Sequence, residues 1–173
     1  MPKSTTELLA ETTRTALKLE FRDQYMTEDP GHLAWKAGNL DEAVRAYAGW
    51  TEIARQATAR GVEVKRVRVV SEPLSDYIQF EHAVTQRVNI DAGEQIRWVP
   101  RQRVSALALP GNDVWILDGS TLQFYFFAGD GRYVGEEVTT NSEAVKLCEA
   151  AFEASWELGI DHSDYVASGV TAA

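Results

Sequence analysis

Glu81 is the residue whose position calls for a chemical explanation. The stretch 65–88, KRVRVVSEPLSDYIQFEHAVTQRV, reads as a short apolar strand, a Ser-Glu-Pro turn and an amphipathic helix. At 100° per residue, Leu74, Tyr77, Ile78, Val84 and Val88 fall on one stripe, and Glu81 lies in the middle of it. An ionised carboxylate buried without a partner is costly, so Glu81 must reach the edge of the core or find a cation. Arg68 and Arg97 are the candidates, since each sits on a strand that this helix should cover. The structural reading is an Arg–Glu pair that fixes helix on sheet. The catalytic reading needs a nucleophile or a metal nearby, and the sequence shows neither.

Open α/β sheets bind ligands beyond the carboxyl ends of their strands, which is where Ser71, Glu72 and Ser75 fall. With the helix start they complete a candidate binding set of Arg68, Glu72, Ser75, Asp76, Tyr77, Glu81 and Arg97. Glu72 and Asp76 crowd that helix start with negative charge, and no glycine lets a phosphate approach the backbone. A cationic or hydroxylated ligand suits it better. No catalytic residue set, metal or cofactor is expected. His32, His82 and His162 are scattered without companion cysteines, His32 reads as a surface residue, and Cys148 shares an apolar helical stripe with Val145, Phe152 and Trp156. The glycine-rich nucleotide, phosphate-loop, zinc-protease and Gly-x-Ser-x-Gly patterns are all absent.

The elements that position these residues follow from patterning. Residues 4–14 predict a short helix, and Leu17, Leu19 and Phe21 alternating with Lys18, Glu20 and Arg22 predict a half-buried strand at the sheet edge. TEDPGH reads as a mobile polar turn, followed by a helix from Asn39 to Arg60-Gly61. Pro73 fits the first turn of the helix carrying Glu81, and Gln95 to Val99 is the next strand, giving a right-handed parallel crossover. Pro100 opens a short basic helix whose Arg101 and Arg103 read as solvated. VWILD, TLQFYFF and RYVGEEV, separated by Asp118-Gly119 and Gly129-Asp130-Gly131, predict an antiparallel meander. A final helix spans about 142–158. The fold class is therefore α/β: a mixed sheet with a parallel strand-helix-strand unit, an antiparallel C-terminal meander and helices on both faces. One domain over 1–173 is expected, with 1–14 and 160–173 peripheral or frayed.

Composition narrows the function classes. Five tryptophans and 45% hydrophobic residues suit a sizeable core. No apolar run of about 18 residues and no signal-peptide core are visible, so a cytoplasmic protein without a membrane role is expected. The net charge of -9 argues against direct nucleic-acid binding. Between Arg55 and Arg103, however, nine Lys/Arg face six Asp/Glu, a local +3 within an acidic remainder of -12.

The runs RVRVVSEPLSDYIQFE, NIDAGEQIRWVPR, DVWILD and GDGRYVGEE resemble a family of actinobacterial proteins of unknown function. Members of that family tend to be encoded beside Xre-type helix-turn-helix regulators. The likeness extends from about Leu17 to Trp156, and SEPLSDY is its most specific part. The layout of ARGVEVKRVRVV, a crossover and a strand near WILD is also similar to a degenerate phospholipase D-like half. That superfamily uses a His-x-Lys pair, whereas here His82 is followed by Ala83 and Val84, and its hydrolytic activity does not carry over. The resemblance and the missing catalytic motifs imply a non-enzymatic regulatory or ligand-sensing protein acting through a partner, a helix-turn-helix transcription regulator. The alternative is a small enzyme, or a degenerate phosphodiesterase-like protein, that binds a small polar ligand. The oligomeric state is left open.

Overall fold

A computed structural model of the chain describes residues 3–26 and 28–166. The elements run α1 Thr5–Glu11, β1 Thr15–Glu20, α2 Pro30–Lys36, α3 Leu40–Arg45, α4 Ala48–Ala59, β2 Glu63–Val70, α5 Asp76–Val88, β3 Gln95–Pro100, β4 Val114–Leu117, β5 Thr121–Phe127, β6 Tyr133–Thr139, α6 Ser142–Leu158 and β7 Ile160–Asp161. They build a seven-stranded mixed sheet in the order β6-β5-β4-β1-β2-β3-β7. β1, β2 and β3 are parallel; β4, β5 and β6 extend the sheet antiparallel from β1, and β7 closes antiparallel on β3.

Local signals explain most of these boundaries. Ser4 and Glu7 form a capping box at α1, and Asn141 caps α6 through the amides of Glu143 and Ala144. Gly61 takes a left-handed φ of 89° after α4, which lets the chain turn straight into β2. At the β4–β5 turn, Asp118 accepts hydrogen bonds from the amides of Thr13, Arg14 and Thr15, tying the meander to the start of β1.

Each face of the sheet carries its own apolar layer. α6 covers one face, with Val145, Cys148, Ala151 and Phe152 against Leu19, Val67, Val69, Val114 and Ile116. On the other face α5 packs Tyr77, Ile78, Phe80 and Val84 near Val70, Ile96 and Trp98, while Leu8, Leu9, Ala57 and Val62 meet Ala16, Val64 and Trp115.

Several expectations are corrected. β1 is not an edge strand: it pairs with both β2 and β4, so both its edges are hydrogen-bonded. The DPGH segment is the start of a helix, since Asp29 caps the amides of Gly31 and His32 and Pro30 occupies the first turn. His32 is consequently buried among Trp35, Tyr77 and Phe80. The helix expected from Asn39 to Arg60 is broken into α3 and α4. Pro73 precedes α5 instead of opening it, because Ser75 caps the amide of Ile78. Arg101 is engaged by Ser71, Asp23 and the Phe21 carbonyl. The C-terminal segment is ordered as far as it is described: β7 pairs with β3, and the buried Tyr165 stacks on Trp98. Residues 167–173, read as frayed, lie outside the described residues.

Candidate functional site

A charged patch lies in the middle of the sheet, on the face covered by α2, α4 and α5. Alternation along β1 places Ala16, Lys18 and Glu20 on this face, and along β2 it places Val64, Arg66, Arg68 and Val70 there. Register then sets Lys18 between Trp115 and Arg66, and Glu20 beside Arg68, which neighbours Trp98. Above this floor is a cavity of about 410 Å³. Its roof comes from α5, through Tyr77, Phe80, Glu81, Val84 and Val88, and from Tyr47 and Trp50. Tyr25, Asp29 and the β4–β5 residues Asp113, Trp115, Tyr125 and Phe127 form the walls. Met26, 45% exposed, is the most exposed of the lining residues.

Nearly every charged group here is held by a neighbour. Arg66 donates to Glu20 at 2.6 Å and to Glu94 at 3.1 Å, and its guanidinium lies over Trp50 and Trp115. Glu94 also accepts from the Trp50 indole at 2.5 Å and the Asn89 amide at 2.7 Å. Arg68 donates to Glu20 at 3.1 Å and to the Thr85 hydroxyl at 2.5 Å, over the Trp98 ring. Asp113 accepts from the Tyr25 hydroxyl and the Phe21 amide. Asp29 accepts from the hydroxyls of Tyr47 and Tyr77.

Two groups stand outside this pairing. Glu81 Oε2 is 3.7 Å from Arg68 Nε, an ion-pair distance too long for a hydrogen bond, and it has no hydrogen-bond partner among the described residues. Lys18 is only 6% exposed, and its ammonium rests on the faces of Tyr125 at 3.7 Å and Trp115 at 5.3 Å. No ion pair or hydrogen bond among the described residues engages it.

The electrostatics follow. Burial pulls the Lys18 ammonium down to about 8, against the opposing pull of Glu20 and Asp113. Burial also pushes Glu81 up to about 7: Arg68 opposes the rise and the nearby Glu20 charge adds to it. Glu20 is buried too, but Arg66, Arg68 and Lys18 outweigh its desolvation and hold it down at about 2. Of the two carboxyls that share Arg68, Glu20 is thus ionised at neutral pH while Glu81 is near its midpoint.

Of the residues singled out from sequence, the fold brings Arg68, Tyr77 and Glu81 together on this cavity. Arg97 lies on the opposite face of the sheet, over Trp156 and 2.8 Å from Asp161, and cannot serve Glu81. Ser75 is spent on capping and on the Asp23 carbonyl. Glu72 accepts from Tyr165 and borders a separate hollow with Ser71 and Arg101. Asp76 is exposed, 3.8 Å from Lys36. Sequence reasoning missed Lys18, Glu20, Arg66 and Asp113. The available signal was the pairing of opposite charges two residues apart on β1, Lys18 and Glu20, with two arginines two residues apart on β2, Arg66 and Arg68.

Comparison with known families places the chain. A family model described as a domain of unknown function, DUF6879, matches residues 3–167. The chain belongs to this family. None of the curated proteins compared with it matches. The match spans α1 to β7, so every residue of the cavity lies inside the DUF6879 domain. Within that domain no group of three or more His, Cys, Asp or Glu among the described residues is arranged to hold a metal ion, and no described helix is long and apolar enough to cross a membrane.

Proposed function

We propose that this DUF6879 protein is a non-enzymatic ligand sensor: the cavity takes a small polar ligand, and occupancy is reported to a protein partner, a helix-turn-helix transcription regulator. The observation that carries the reading is the pair of buried charged groups, Lys18 and Glu81, that face one cavity without hydrogen-bond partners while their neighbours are paired. Buried polar groups are almost always satisfied, and an unsatisfied pair in a cavity of ligand size is the arrangement expected where a ligand completes the bonding. The partner class rests on the gene setting of the family that the sequence resembles.

Catalysis is the second reading, and one observation favours it: Glu20 and Glu81 are held at about 2 and about 7 beside the same arginine, the division of labour of a base and an acid. A phosphodiesterase-like role has less support. His82 is not part of the cavity lining and sits against His162 and Trp98 instead.

A thermal-shift screen of small polar metabolites on the wild type, with Val84→Phe in parallel, tests the sensor reading. Val84 lines the cavity and is 5% exposed, so the larger ring occupies ligand space. Compounds that raise the wild-type melting temperature by several degrees and leave the variant unmoved are expected, and the same compounds should change affinity for the regulator at least tenfold. Hits that stabilise both proteins equally would place binding elsewhere. Turnover of a hit, lost in Glu81→Gln, would replace the sensor reading with the enzyme.

A further inference from the structure

The two unsatisfied groups specify more than a polar ligand. One is a cation with nothing to donate to, and the other is a carboxylate oxygen with nothing to accept from. A ligand carrying only a negative group would satisfy Lys18 and leave Glu81 facing it. One carrying only a positive group would satisfy Glu81 and leave the Lys18 ammonium unmatched. A ligand with both groups satisfies the two ends and adds no net charge to a network whose other members are already paired.

The walls describe what the rest of the ligand meets. Trp50, Trp115, Tyr125, Tyr25, Tyr77 and Phe127 all border the cavity. Aromatic walls favour a flat ring, which can stack or meet them edge to face. The sheet sets the spacing of the two strand residues beneath these groups. Lys18 is in register with Arg66, and Arg68 lies two residues further along β2. The Cα atoms of Lys18 and Arg68 are therefore roughly 8 Å apart on the diagonal of a sheet with its usual spacings. Glu81 reaches Arg68 from above. The volume of about 410 Å³ lies in the ordinary range of small-molecule sites and suits a ligand with one or two rings.

Resting on the ligand-sensor reading, we infer that the cavity binds a zwitterionic aromatic compound of the amino-acid class, its carboxylate on Lys18, its ammonium on Glu81 and its ring beside Tyr25, Tyr77 and Phe127, since Arg66 and Lys18 already cover Trp50, Trp115 and Tyr125. Arg68 then keeps Glu20 and Thr85 as its partners and positions Glu81 without touching the ligand.

The test is titration calorimetry, backed by ligand-observed NMR, with tyrosine, tryptophan and 4-(aminomethyl)benzoate. Each is paired with an analogue lacking the carboxylate (tyramine, tryptamine, benzylamine) and one lacking the amine (4-hydroxyphenylpropionate, indole-3-propionate, 4-methylbenzoate). At least one zwitterion should bind tenfold or more tighter than both of its singly charged analogues. Lys18→Met should erase its advantage over the amine, and Glu81→Gln its advantage over the acid, so each variant reports on one end. Equal binding of a zwitterion and its analogues would overturn the class. Absence of binding by all three zwitterions, each tested up to its solubility limit, would also overturn it, while screen hits blocked by Val84→Phe would leave the sensor reading standing. If those hits were lacking as well, both readings would fail.

Discussion

Replacing Arg66 with leucine will destabilise the protein by roughly 3–5 kcal/mol, the usual cost of removing one partner from a buried ion pair. Arg66 holds Glu20 at 2.6 Å and Glu94 at 3.1 Å, and the Glu94 side chain is fully buried. Without the guanidinium, Glu94 keeps only the Trp50 and Asn89 donors, and Glu20 keeps only Arg68. The guanidinium also packs on the Trp50 and Trp115 rings, a contact that leucine does not reproduce. Urea unfolding of Arg66→Leu, alone and combined with Glu94→Gln, measures this. The double variant should recover part of the loss, because a neutral amide no longer carries a buried charge. A loss below about 1 kcal/mol for the single variant, a value typical of exposed pairs, would contradict the buried network.

Glu81 should behave in the opposite way. Its folded value of about 7 lies above the ordinary 4.5, so the folded chain takes up a proton at this site in the window between them. The favourable contribution is complete below about 4.5 and is lost as pH rises through 7. Glu81→Gln removes that loss. The variant should match the wild type near pH 5 and exceed it near pH 8 by about 2–3 kcal/mol, the free energy of a shift of this size. Arg68 stays bonded to Glu20 and Thr85 in both proteins. Unfolding curves at the two pH values decide it: a variant less stable than wild type at pH 8 would mean that Glu81 is ionised and well held by Arg68.

The contrast between these two carboxyls shows which parts of the site could be read from sequence. The strand β2, helix α5 and strand β3 were legible because a β-branched run, a polar helix start and an apolar stripe with a 3.6 period all lie within one short stretch. Glu81 was legible for the same reason, as was Arg68 as its partner. Lys18 and Glu20 were not, because their alternation with Leu17 and Leu19 is the same for a solvated face and for a charged interior one. What separates the two cases is long-range packing, since Trp50 of α4, Phe80 and Val84 of α5 and Tyr125 of β5 come from distant parts of the chain to enclose this face.

Other differences have local causes. Asp29-Pro30 carried an N-cap and a first-turn proline, yet the polar composition around it read as a turn, and His32 was placed outside with it. Tyr165 was lost in a tail of small polar residues, although its ring stacks on Trp98 and its hydroxyl donates to Glu72. The direction that Arg97 faces depended on which residue of β3 pairs with which residue of β2, and no local pattern states that register.

If Lys18 and Glu81 are kept for a ligand, the empty protein must be less stable for keeping them, as functional sites commonly are. The unfolding free energy of Lys18→Met at pH 7, measured without ligand, addresses this most directly. The Lys18 ammonium titrates at about 8 in the folded chain against 10.5 ordinarily, so folding works against its charge below pH 8, and this penalty is relieved as pH rises from 8 towards 10.5. Methionine removes the penalty and gives up the contact with Tyr125, for a predicted net gain on the order of 1–2 kcal/mol. A loss of similar size would show that Lys18 is a structural member of the core and would contradict the account.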